Sequence, residues 1–136
     1  MKSIRMSLWA LCVTGTVFSA TALAHHSFAA EFDRQKPVTL KGTITKVEWQ
    51  NPHTRVYLSV PNELGIMSNW ELELASPNSL MRAGWTRHSV QVGDKVTVNG
   101  FRAKDGSSLA NASTVTSADG RRILSEQSSA DAPAPK

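Results

Sequence analysis

Cysteine is almost missing from this chain of 136 residues: Cys12 is the only one. It lies in an N-terminal stretch that reads as removable, so the working protein is expected to carry no thiol. That excludes a disulfide framework, a thiolate nucleophile and a cysteine-based zinc site. Long apolar runs are missing too. Leu8 to Phe18 is interrupted by Thr14, Gly15 and Thr16, short of the roughly 20 apolar residues that a spanning helix needs. Charge of one sign is not in large excess, with 15 Lys and Arg against 11 Asp and Glu. There is no Gly-x-Ser-x-Gly, no His-Glu-x-x-His and no phosphate loop. What remains is 40% hydrophobic and 19% charged, a composition that fits one globular domain and excludes a wholly disordered chain.

The first residues read as an export signal. Lys2 and Arg5 precede the apolar stretch, and Ala22-Leu23-Ala24 fits the small-x-small cleavage pattern. A twin-arginine pair is absent, so the general secretory route is expected. The residues before Cys12, Trp9-Ala10-Leu11, make a poor lipobox because a bulky Leu stands where a small residue is required. Cleavage after Ala24 predicts a periplasmic chain that starts at His25 and has no membrane span. It also removes two of the positive charges behind the formal +4. Nothing then demands nucleic acid as a partner.

Residues 25–37 read as an arm anchored by Phe28 and Phe32, either one helical turn or two pegs of an extended segment. From Val38 the pattern becomes strand-like. Val38, Leu40, Gly42 and Ile44 share one parity, while Val47 and Trp49 take the other. A parity switch inside one run predicts a bulge or sharp bend near Thr45–Lys46. Asn51-Pro52 makes a turn. Val56, Leu58 and Val60 then alternate with polar residues, and after a loop over 61–68 so do Trp70, Leu72 and Leu74. Ser76-Pro77 reads as an N-cap with proline at the first helical position, opening a short helix that ends near Gly84. Val96, Val98 and Phe101 form a further strand, joined through the Lys104–Ser107 turn to another over 109–116. Ile123-Leu124 adds a short edge strand, and residues 125–136 read as a disordered tail.

Three strands, a short helix and two strands, with a long bent first strand, is an all-β order with one short helix. It predicts a five-stranded OB-like Greek-key barrel over 38–124, the helix lying between strands three and four. An open β-sandwich is the competitor, and it does not need that helix.

Together, His25-His26-Ser27-Phe28, Val47-Glu48-Trp49, Asn51-Pro52-His53, Ser76-Pro77-Asn78, Gly84-Trp85 and Gly100-Phe101-Arg102-Ala103-Lys104-Asp105-Gly106 form a distinctive set. The chain resembles a family of small exported bacterial proteins catalogued as a domain of unknown function. The resemblance implies a periplasmic setting and brings no established activity.

Chemistry is carried first by histidine. Once His25 is N-terminal, its free α-amine and its imidazole Nδ1 can chelate one metal. The amine's ordinary pKa of about 7.7–8 leaves part of it available near neutrality. A third nitrogen completes a T-shaped site suited to Cu(II), similar to the histidine brace of copper enzymes and carriers. His53, in the Asn51–His53 turn, is the preferred remote ligand; His26 is an additional one and His88 an alternative. Residues 38–50 span at most about 40 Å, and an arm folded back along them has similar reach. A chance histidine at the cleavage point and polar turn histidines are the competing explanation. Glu71 and Glu73 share the polar face of one strand, where a solvated ladder with Arg55 or Lys46 is commoner than acid–base catalysis. Trp49 and Trp70 are expected to point inward. Tyr57, with Arg55, points outward as a fragment of a ligand face. The chain therefore reads as a non-enzymatic binding module that holds copper through His25, His26 and His53. The alternative is a metal-free adaptor for a protein or glycan, bound through the barrel face or an edge strand. A copper-dependent oxidase using the same nitrogens is a third class, which needs an open coordination position.

Overall fold

The computed structural model describes residues 28–125. The elements run α1 (Phe28–Glu31), β1 (Phe32–Glu48), β2 (Arg55–Pro61), β3 (Met67–Glu73), α2 (Pro77–Arg82), β4 (Lys95–Ala103), β5 (Leu109–Ser117) and β6 (Arg122–Ser125). The protein is mostly β, with two short helices. The six strands form one sheet in the order β3-β2-β1-β4-β5-β6, and β3 additionally pairs with β5. Among the described residues no helix is long and apolar enough to cross a membrane.

The organising element is β1. Residues Pro37 to Thr43 pair with β4, and Thr43 to Glu48 pair with β2. The register slips between Ile44 and Lys46, at the bulge that the parity switch predicts. There the register with β2 skips Thr45. Ile44 stays opposite Leu58 and lies one residue past the end of the β4 ladder. Its N–H donates to the Asp94 carbonyl at 2.9 Å, and its carbonyl accepts from Gly93 N–H at 2.8 Å. The loop before β4 thus satisfies both backbone groups of Ile44 where the β4 ladder has ended. Gly93, at φ +97°, sits in the backbone region that side chains disfavour.

Leu40, Ile44, Val56, Leu58, Leu72, Leu74, Val96, Val98, Ala110, Ala112 and Val115 line one buried core, against which Trp49 and Trp70 pack half-buried. The inward placement of Trp70 follows the alternation of β3, and Trp49 continues that of β1 one residue past its end. Helix α2 covers one end of the core. The Ser76 hydroxyl accepts from Ser79 N–H, and Pro77 has no N–H to leave unpaired. Leu80 and the following Trp85 are buried at 1% and 3% exposure.

Phe28 belongs to a helical turn, the first of the two arrangements open to the arm. Phe32, however, already begins β1, pairing with Ala103. The strand starts six residues before Val38. The alternation is hidden because the register slips between Phe32 and Pro37, across the polar residues Asp33 to Lys36. Phe28 stacks on Phe32 at 5.5 Å and edge-on to Phe101 at 5.8 Å between ring centroids. This satellite cluster fixes the arm against β4.

Two glycines mark where backbones press together. A Cβ on Gly42 would stand 2.5 Å from the Ser59 carbonyl oxygen, and one on Gly100 would overlap the Asn111 carbonyl oxygen. Gly42→Ala and Gly100→Ala are each expected to lower stability by about 2–3 kcal/mol, the scale of overpacking. Lys41→Ala, on the exposed side of β1, stays within about 0.5 kcal/mol. Urea denaturation measures all three.

Candidate functional site: the polar face of β1, β2 and β3

Period-two alternation puts the residues beside the core positions on the opposite face. There Lys46 lies opposite Tyr57, Glu48 opposite Arg55, Tyr57 opposite Glu71, and Arg55 opposite Glu73. Directly opposed side chains share a face, so six polar residues from three strands form one ladder.

Most of that ladder pairs internally. Lys46 Nζ bonds Glu48 Oε1 at 2.5 Å, and Tyr57 O–H donates to Glu48 Oε2 at 3.0 Å. These two hydrogen bonds, that from Lys46 first, hold the Glu48 carboxyl below the usual carboxylate range. Lys46 also stands 5.1 Å from the Tyr57 ring centroid. Arg55 Nη1 meets Glu71 Oε1 at 3.0 Å. Arg55 and Tyr57 do lie on an outward face, as predicted, and both are engaged by neighbouring carboxylates.

His53 and Glu73 stand apart from this pattern. Thr54 is clamped to the end of β3: its N–H donates to the Ala75 carbonyl at 3.1 Å, and its carbonyl accepts from Leu74 N–H at 2.9 Å. That clamp carries His53 to the last residue of β3. His53 Nδ1 lies 3.2 Å from Glu73 Oε1, with the imidazole side chain 35% exposed and the carboxylate side chain 11%. Burial pushes the Glu73 carboxyl up. His53 and Arg55 pull it back, and the charge of Glu31, at the end of α1, pushes it further up. The arm therefore ends within the electrostatic reach of this pair. Glu73 also lies beside Asn111 across the parallel β3–β5 pairing. Asn111 is 3% exposed, and its Oδ1 has no hydrogen-bond partner among the described residues.

The sequence treats Glu71 and Glu73 as one solvated pair. The structure separates them: Glu71 joins the ladder with Arg55, while Glu73 is buried with His53. His88 lies exposed in the turn after α2, where its backbone N–H donates to Thr86 Oγ1 at 3.1 Å. Unlike His53, it forms no ion pair with a carboxylate among the described residues. His25 and His26 lie outside the described residues. Among the described residues no group of three His, Cys, Asp or Glu side chains converges as a metal centre. A metal site that uses His53 therefore needs ligands from outside them.

Tyr57 is the only tyrosine, so the ladder has a built-in reporter. Burial and the bond to Glu48 raise its phenol above the ordinary 10.0. A raised folded-state value means that the fold prefers the protonated phenol, so this contribution to stability is lost as pH rises through the tyrosine range. An ultraviolet absorbance titration is expected to place Tyr57 above free tyrosine, and Glu48→Ala to move it back towards the ordinary value.

No curated protein and no solved structure matches the chain. The model of a family of unknown function, DUF6152, matches residues 14–112, a span that contains β1 to β4, His53 and Glu73, and the chain belongs to that family.

Proposed function

We propose that this protein is an exported, periplasmic, OB-like binding module that holds Cu(II) through the first residue of the processed chain. His25 supplies its α-amine and imidazole Nδ1, and His53 supplies the remote imidazole. His26 is an additional donor. The module buffers or delivers the ion and turns over no substrate.

The OB-like reading draws on the circuit of pairings from β3 through β2, β1, β4 and β5 back to β3, and on the helix between β3 and β4. The copper reading is carried by one observation: a half-exposed imidazole whose Nδ1 is engaged by a buried carboxylate. Metal-binding histidines commonly use one ring nitrogen in this way and present the other to the ion. Chain length adds support. His25 lies three residue steps, about 10 Å of chain at most, before the start of α1, and α1 ends at the Glu31 whose charge acts on Glu73. An amine with two imidazoles is a donor set that suits Cu(II).

A second reading, a metal-free adaptor for a protein, rests on the β2–β3 hairpin. Asn62 Oδ1 accepts from both Leu64 and Ile66 N–H at 2.9 Å. That fixes a tip on which Leu64, Ile66 and Met67 are 83%, 62% and 55% exposed. A rigid apolar tip of this kind favours insertion into an apolar pocket of a partner.

Cu(II) titration of the processed, tag-free protein, followed by electron paramagnetic resonance, separates the two. The copper reading expects a stoichiometric, nitrogen-rich signal that one extra residue before His25 abolishes and that His53→Ala weakens. Weak binding indifferent to the extension contradicts it and leaves the adaptor.

A further inference from the structure

We propose that Glu73 is the positioning residue of His53: its carboxylate accepts the Nδ1–H, fixes the imidazole in that tautomer and leaves Nε2 as the coordinating atom. This deepens the copper reading and rests on it for its purpose, although the tautomer itself does not need the metal.

The partners on this face make the case. Glu48 is met by Lys46 and Tyr57, and Glu71 by the permanent cation Arg55. Glu73 is the most buried of the three carboxylates, yet its hydrogen bond goes to an imidazole. Burial of a carboxylate is costly, and a buried pair is poor evidence of a device for stability. What a buried carboxylate does well is orient a ring. A neutral imidazole offers one donor and one acceptor nitrogen, and the hydrogen bond at one decides the role of the other.

The backbone makes the geometry rigid. Glu73 is paired on one side with Arg55 of β2 and on the other with Asn111 of β5, so its strand is held at both edges. The Thr54 clamp fixes the residue after His53 to the same end of β3. Exposure is graded to match, with the carboxylate inside and the ring at the surface. Arg55 has its own partner in Glu71 at 3.0 Å, which leaves the Glu73 carboxylate to His53.

Long-range proton–nitrogen NMR of the metal-free processed protein, at a pH of about 8.5 where an ordinary imidazole is neutral, reads the tautomer directly. His53 is expected as Nδ1–H, whereas the exposed His88 shows the Nε2–H form that free histidine prefers. Glu73→Ala returns His53 to that form, and Glu73→Asp restores Nδ1–H at least in part. An Nε2–H tautomer for His53 in the unaltered protein overturns the proposal whatever copper does. Cu(II) affinity is then measured on the same samples, with a loss of about 10- to 100-fold expected for Glu73→Ala. An unchanged affinity in a variant whose tautomer has shifted also overturns the positioning role. A correct tautomer with no Cu(II) binding by the unaltered protein overturns the copper reading instead, so the two failures are distinct.

Discussion

The structure depends on one irregularity of β1, the register slip that skips Thr45 between Ile44 and Lys46. One strand has to serve two partners, and a strand that keeps its register cannot change its buried face. The slip between Ile44 and Lys46 makes that change. Beside the slip, where the β4 ladder ends, Gly93 and Asp94 take up the Ile44 carbonyl and N–H. Without those two bonds Ile44 would bury unpaired backbone groups, at about 1–3 kcal/mol for each. Ile44 itself is 1% exposed, so the same residue closes the core and turns the sheet.

The turn of β1 has a chemical consequence. After the slip, Lys46 and Glu48 face the same side as Arg55 and Tyr57 of β2, and β3 adds Glu71 and Glu73. The sheet then continues from β3 to β5, with Glu71 opposite Leu109 and Glu73 opposite Asn111, and the face is more buried at Glu73 than at Glu71. The gradient separates two carboxylates only two residues apart. One ends as half of a surface ion pair, worth little to stability. The other sits beside Asn111, in contact with an imidazole and within the field of Glu31. On this account the binding chemistry belongs where the sheet joins its own end and where the arm terminates.

Much of this is legible locally. The β1 bulge, the inward Trp49 and Trp70, the Ser76 cap and the turn at Gly106 all follow from period-two alternation and turn chemistry. Arg55 opposite the Glu71–Glu73 strand is equally readable, because β2 and β3 are neighbours in sequence. The early start of β1 at Phe32 is hidden by a second register slip across four polar residues. The burial of Glu73 is hidden for a different reason. Glu73 stands beside Asn111 through a parallel pairing between strands separated by a helix and β4, and no short window of sequence carries that neighbourhood. His53 is visible as a histidine in a turn, but its engaged nitrogen depends on that same burial.

The central claim is that the processed N-terminus and His53 share one ion. Anomalous diffraction from crystals of the processed protein loaded with one equivalent of Cu(II) tests it most directly. The account predicts a single copper peak within bonding distance of the His25 amine, the His25 Nδ1 and the His53 Nε2, with Glu73 still on the far side of the His53 ring. A copper peak at His88, or none on an intact His25 terminus, contradicts it.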